Sequence, residues 1–195
     1  RTIETDISRF LKVFEPLGDV KFILVESNSD DNSLEILEDL STKNKKIEFI
    51  SLGKSNPALL RTERLAEARN TYLDYVLSHP DYHSADYLVV CDFDNLNKLL
   101  TTEAIRNSLR DQDWDVCTAN QSTKYYDIWA LRHEIWSPND CWQQHAFFRK
   151  FYRFPEFALN ASIRNRMVHI PKNSNWIEVD SAFGGFGIYK LETYL

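Results

Sequence analysis

The segment Tyr87-Leu-Val-Val-Cys-Asp92-Phe-Asp94-Asn95 sets two carboxylates, spaced i, i+2, directly after an apolar run. The run predicts a buried strand, and side chains at the carboxyl end of a sheet strand face the crevice where ligands bind. There Asp92 and Asp94 can hold a hard divalent cation, which in turn neutralises phosphate oxygens. A solvated strand-end turn uses the same residue types, so the motif alone leaves both readings open.

A second strand end, Leu24-Val-Glu26-Ser27-Asn28-Ser29-Asp30-Asp31-Asn32-Ser33, runs into a helix. Its small polar residues can cap that helix and turn backbone N–H groups toward an anion, while Glu26 can accept from a nucleobase or ribose. Capping alone accounts for Asp31 and Ser33. Glu26, at the edge of an apolar run, asks for more.

Arg61, Arg64, Arg69 and Asn70 share a helical segment whose apolar stripe is Leu65, Ala68, Tyr72 and Val76. At about 100° per residue, Arg61 and Arg69 lie about 40° to either side of the stripe's centre. Their expected partners are buried carboxylates or a phosphate, with Arg64 the most exposed of the three. Structural salt bridging is the plain alternative.

Downstream stand Tyr125-Tyr126-Asp127-Ile-Trp129-Ala-Leu-Arg132 and Asp180-Ser-Ala-Phe-Gly184-Gly185-Phe-Gly187-Ile-Tyr189-Lys190. A flat aromatic beside a carboxylate suits a sugar ring, whose C–H face stacks while its hydroxyls bond to the acid. Core packing is the expected role of most of the other aromatics in this region. The clustered glycines imply close backbone approach, but they lack P-loop or GxGxxG spacing. Neither HExxH nor GxSxG spacing occurs, which argues against zinc-protease and triad-hydrolase chemistry.

The elements that must position these residues follow from periodicity. Ile3, Ile7, Leu11 and Phe14 predict a helix closed by Pro16 and Gly18; Val20 to Val25 predicts a strand, and Leu34, Leu37 and Leu40 a second helix. A strand at Ile47 to Leu52, a helix from about Leu60 to Leu77, the strand Tyr87 to Cys91, a helix at about Thr101 to Leu109 and a strand at Trp114 to Thr118 continue the alternation. That alternation predicts an α/β fold with a largely parallel sheet. Beyond Asn120, a helix at Trp142 to Tyr152 leads into a Pro-interrupted segment, then strands at Trp176 to Val179 and Phe186 to Tyr189. With no internal repeat or linker, one domain is expected. A chain that opens on a helix also lacks the strand on which that helix would pack, so a strand upstream of Arg1 is expected.

Composition limits the classes. The 195 residues carry a net charge of −6 and no apolar run near the roughly 18 residues of a membrane span. Neither nucleic acid nor a membrane span is expected, though peripheral membrane association stays open. Charge is uneven: Asp81 to Asp115 holds eight acids and three bases, Arg149 to Lys172 six bases and one acid. A cation site and an anion or acceptor site would divide in this way, as would ordinary surface variation. Cys91, Cys117 and Cys141 lack CxxC spacing, and Cys91 and Cys117 lie in apolar runs that predict buried thiols.

Taken in order, these segments resemble nucleotide-sugar glycosyltransferases of the GT-A fold, nearest the family 2-like enzymes and the capsule-type mannosyltransferase relatives that carry an RxxRLAxARN helix. The matching segments are Val25 to Asp30, Arg61 to Asn70, the Asp92/Asp94 pair, Tyr126 to Arg132 and Gly184 to Tyr189. The resemblance implies a Rossmann-like, mostly parallel sheet flanked by helices, with a nucleotide part over about 1–120 and an acceptor part over about 121–195. It implies that Glu26, Asn28 and Ser29 contact the nucleotide, that Asp92 and Asp94 hold Mn2+ or Mg2+ on the donor diphosphate with Phe93 between them, and that Arg61, Arg64, Arg69 and Asn70 border the donor pocket. Asp127 and Trp129 would shape the sugar or acceptor side, and the strand holding Gly185 would flank the reaction centre.

The implied activity is transfer of a hexose from a nucleoside diphosphate sugar to a glycan or lipid-linked hydroxyl. The family's base and a late histidine would lie beyond Leu195, and Asp180 is the best carboxylate within the chain for the catalytic role. A haloacid dehalogenase-type phosphohydrolase is the first alternative, although Leu96 stands where that motif wants Thr or Val. A non-catalytic nucleotide-sugar binding module is the second. A cytoplasmic enzyme is expected, with a lumenal domain of an anchored protein as the other option.

Overall fold

The computed structural model describes residues 3–27, 29–54, 59–93, 96–110, 113–193 and 195, which form two compact units. The first comprises Arg1–Leu88, Phe93–Asp115 and Lys190–Leu195, the second Val89–Asp92 and Val116–Tyr189.

In the first unit, α1 (Ile3–Phe14) buries Ile7, Phe10 and Phe14 at the spacing expected of one helical face. Pro16, which cannot continue a helix, leaves only a single tight turn, Glu15–Leu17. β1 (Phe22–Glu26), α2 (Ser33–Lys43) and β2 (Ile47–Ser51) then make a strand-helix-strand unit. β1 and β2 pair in parallel from Phe22 opposite Ile47 to Glu26 opposite Ser51, so the crossover helix covers a small two-stranded sheet. Ile7, Leu24, Leu37 and Ile47 form the core between them, with Phe93 packed against its edge. Each such side chain contributes about 1.5–3 kcal/mol when fully buried. α3 (Arg61–Ser78) buries only Val76. α4 (Thr102–Arg110) is anchored by Ile105 and by Thr102 Oγ1 and Arg106 Nη2, which donate to the carbonyls of Val13 and Pro16 at 2.7 and 3.0 Å.

β3 (Tyr87–Cys91), β4 (Val116–Thr118) and β5 (Phe186–Lys190) form a three-stranded sheet in the order β3-β5-β4. β4 and β5 are antiparallel, Val116 opposite Tyr189 and Thr118 opposite Gly187. Bonds from Asp92 N to Gly185 O and from Leu191 N to Asp86 O frame β3 and β5 in the same antiparallel sense. The expected largely parallel sheet is therefore corrected: the fold is mixed α/β, and β1 with β2 is the parallel pair among the described residues. Alternation of strands and helices implies parallel neighbours only where each crossover returns the chain to the same end of the sheet. β5 instead comes back from a long excursion and enters the sheet through the Gly184-Gly185 turn, running the other way.

That excursion holds the second core, Tyr125, Ile128, Leu131, Cys141 and Ile163, with Trp136 and Met167 against it. α5 (Cys141–Phe148) is shorter than the expected helix, and Pro155 opens a further helix, α6 (Pro155–Ser162). Proline suits the first helical turn, where its missing N–H costs nothing. The expectation that most of the region's other aromatics pack in a core is corrected: Trp142, Phe147, Phe151, Tyr152, Phe154 and Phe157 are exposed, because the short helices α5 and α6 bury only one side each. The expected strand at 176–179 is absent; Trp176 and Ile177 are exposed there, and the sheet-like contact is an isolated bridge between Arg132 and Ser181. Cys117 is buried as expected, whereas Cys91 is half-buried.

Candidate functional site

Glu26 ends β1 in a nearly closed setting. Its Oε1 accepts the Ser29 N–H at 2.7 Å and its Oε2 accepts the Ser51 hydroxyl at 2.8 Å, so the strand end, the following turn and the end of β2 are tied to one carboxylate. Burial works against its charge, but the bonds from Ser29 and Ser51 outweigh that and hold its pKa below the ordinary glutamate value. Glu26 is therefore an ionised acceptor at neutral pH. Asp31 Oδ1 accepts from Ser33 N at 3.0 Å, a local turn bond rather than the expected cap: Asn32 holds the cap position of α2 and no side chain caps it. Asn28 lies outside the described residues.

The α3 arginines depart from the angular expectation. Arg61 is exposed, whereas Arg64 is half-buried and donates to the Leu59 carbonyl at 3.3 Å; Arg69 is also half-buried and Asn70 exposed. Leu65 is itself 39% exposed, so the apolar stripe packs only toward the end of the helix, around Val76. Near Arg61 the stripe points into solvent, and an arginine flanking it stays in solvent too.

In the second unit three of the singled-out segments come together. Asp92 donates its backbone N–H to the Gly185 carbonyl at 3.0 Å, and the adjoining Gly184 N–H donates to Asp127 Oδ2 at 3.2 Å. Asp127 Oδ1 also receives the Ala130 N–H at 3.4 Å, which folds the Asp127 to Ala130 turn over the glycines. Gly184 and Gly185 have φ of +66° and +84°, a backbone that glycine adopts without strain. A Cβ on Gly184 would stand 2.8 Å from the Ala119 carbonyl oxygen, so this glycine answers a close approach as well as a turn. Tyr125 lies beneath, its hydroxyl accepting the Phe183 N–H at 3.2 Å. Burial, with the nearby Asp127 charge, pushes its pKa up to about 12 and keeps it neutral.

Of the cation pair, Asp92 is half-buried at the end of β3 and Asp94 lies outside the described residues. Phe93, between them, belongs to the first unit, where its ring sits 4.9 Å from that of Phe10. Among the described residues no three His, Cys, Asp or Glu side chains converge as a metal centre. A magnesium-like ion on a diphosphate needs only one or two protein carboxylates, since phosphates and water complete its shell.

Trp129 is 44% exposed and is held by a residue the sequence reading passed over. Its indole N–H donates to Asp140 Oδ2 at 3.1 Å, while Asp140 Oδ1 accepts the Trp142 and Gln143 N–H groups at 2.8 Å each and so caps α5. Trp142, 45% exposed, stands edge-on to Trp129 at 6.4 Å, and Arg132 Nη2 lies 3.6 Å from Asp140. Burial opposes the Asp140 charge, but these donors prevail and lower its pKa. The signal was available: Pro138-Asn139-Asp140 ahead of an apolar helix is an N-cap pattern. Asp180 is exposed, with its backbone N–H bonded to the Arg132 carbonyl at 2.9 Å.

Glu26 and Ser29 are thus brought together in the first unit, and Asp92, Asp127 and Gly185 in the second, where Trp129 and Asp180 are each hydrogen-bonded to Arg132. Comparison with known protein families, curated proteins and solved structures finds no match to this chain.

Proposed function

We propose that the chain is a GT-A-type glycosyltransferase domain that moves a hexose from a nucleoside diphosphate sugar to a hydroxyl of a glycan or lipid-linked acceptor. The observation that carries this reading is the hydrogen-bonded set in which the Asp92 strand end, the Gly184-Gly185 turn and Asp127 meet. A transferase of this kind needs a diphosphate-facing carboxylate next to a sugar-facing one, and in this reading Asp92, tied to the Gly184-Gly185 turn through its backbone N–H, and Asp127, whose carboxylate accepts from Gly184, take those two roles.

In this reading Glu26, already ionised, accepts from ribose hydroxyls or a base N–H of the donor. Asp92 and Asp94 are the residues that would hold a divalent cation, which would neutralise the diphosphate as it leaves. Trp129 offers a flat face for the sugar's C–H surface, and the Asp140 bond fixes the angle at which that face is presented. The bond from the sugar's anomeric carbon to the diphosphate oxygen breaks, and a bond from that carbon to the acceptor oxygen forms. Asp180, exposed, is assigned the acceptor's hydroxyl proton.

Titration calorimetry with UDP- and GDP-sugars, with and without Mn2+, tests the reading. Donor binding that depends on Mn2+ and is lost in Asp92→Ala/Asp94→Ala is expected. Metal-independent binding, unchanged in that double variant, would refute the role of the pair, and no binding to either donor class would refute the transferase reading.

A further inference from the structure

The turn between α5 and α6 carries a surface that the transferase reading does not use. Cys141 on α5, and Ala158 and Ser162 on α6, are fully buried, so both short helices turn one side inward. Around the turn, Phe147, Phe151, Tyr152, Phe154 and Phe157 are 54, 70, 41, 53 and 53% exposed. These rings touch in sequence: Phe147 lies 5.0 Å from Phe151 and 6.0 Å from Phe148, Phe148 5.7 Å from Tyr152, Tyr152 6.4 Å from Phe157, and Phe157 5.6 Å from Phe154. Soluble proteins rarely leave so continuous an apolar patch in water without a partner for it.

Charge identifies the partner. Arg149, Lys150 and Arg153 are interleaved with the rings and exposed, and among the described residues no ion pair engages them. Arg153 lies over the Phe154 ring at 5.4 Å. Glu156, the acid within this stretch, is already paired with Arg164. A chain of net charge −6 thus presents a cationic, aromatic turn. A second copy docking symmetrically would set this cationic patch against its own copy, with no acid on it free to pair the bases, which disfavours self-association. An anionic lipid surface satisfies both parts at once, since aromatic rings settle at headgroup depth and Lys and Arg are drawn to phosphatidylserine-like charge. The pull is local, within a Debye length of about 8 Å, so the acidic remainder of the chain does not cancel it.

We infer that the α5–α6 turn is a membrane-docking surface for anionic phospholipid, with the phenylalanines entering the headgroup layer and Arg149, Lys150 and Arg153 contacting lipid phosphates. Docking of this kind is peripheral, and no helix among the described residues is long and apolar enough to cross a membrane. The inference is independent of the transferase proposal, because vesicle binding requires neither donor nor turnover.

The test is co-sedimentation of the whole chain with phosphatidylcholine vesicles, with and without phosphatidylserine. Binding to the serine-containing vesicles, weakened by added salt, is expected. Arg149→Gln/Lys150→Gln/Arg153→Gln should lose roughly fivefold in affinity per charge removed. Phe151→Ser/Phe154→Ser should lose at least tenfold while circular dichroism stays unchanged, as suits exposed positions. Absence of vesicle binding overturns the inference. So does binding that the phenylalanine variant retains, or a dimer in sedimentation equilibrium that the same variant abolishes.

Discussion

Replacing Gly184 by alanine asks two separable things of the fold. At φ +66° an alanine enters the left-handed region, at a cost of about 1–2 kcal/mol. Its Cβ would also stand 2.8 Å from the Ala119 carbonyl oxygen and 3.3 Å from Tyr125 Cε2, and backbone in a packed turn yields only by shifting its neighbours. Overpacking of that sort costs about 1–3 kcal/mol more, giving a total of about 2–5 kcal/mol. Gly187→Ala, in the same unit, is the control. Its Cβ meets Tyr189 Cε2 at 2.9 Å, a side-chain ring rather than backbone, and its φ is outside the left-handed region. Reduced freedom of the unfolded chain returns about 0.4–1 kcal/mol, so a net loss below about 1 kcal/mol is expected. Urea unfolding followed by far-ultraviolet circular dichroism measures both. Equal losses for the two variants would refute the assignment of Gly184 to a backbone approach, and would leave Asp127 and Asp92 without a rigid turn to be tied to.

Asp140→Ala should destabilise the protein by about 1–3 kcal/mol, since α5 loses its cap and Trp129 its acceptor; faster amide hydrogen exchange at Trp142 and Gln143 checks the cap directly. Glu26 and Asp140 both have depressed folded-state pKa values, so their stabilisation is present above the ordinary carboxylate pKa near 4 and is lost as pH falls through the lower folded values. Acid unfolding curves of Glu26→Gln should therefore be shallower than those of the unaltered chain below about pH 4.5. An unchanged slope would mean that the Ser29 and Ser51 bonds do not persist in solution.

The parts of the fold legible in the sequence are those governed by local period. α1 shows its helical spacing in Ile3, Ile7, Leu11 and Phe14, of which Ile7 and Phe14 are buried while Phe10 fills the face beside the half-buried Leu11, and β1, α2 and β2 are close neighbours in the chain, so their order largely determines their pairing. What depended on distant return was hidden: the direction of β5 is set where residue 185 meets residue 92, and no local pattern encodes that. α6 was concealed because Pro155 reads as an interruption when it is a first turn. On α3 the stripe was visible, but not that its Leu65 end is left in solvent, which misplaced Arg61 and Arg64. In the candidate site the acids could be seen, whereas the Asp140 tether on Trp129 emerges only once the chain has folded.

The distribution of indoles between the two units has a spectroscopic consequence. Trp114 belongs to the first unit, beside Tyr87 and below the Lys190 amine, while Trp129, Trp136, Trp142 and Trp176 belong to the second. Intrinsic fluorescence is thus dominated by the second unit. Trp129, Trp142 and Trp176, each at least 44% exposed, should emit at long wavelength and be quenched by acrylamide, and half-buried Trp136 serves as an internal reference. A sugar that covers Trp129 should protect part of the emission from quencher, whereas a ligand held by Glu26 alone should pass unseen unless it reaches Trp114.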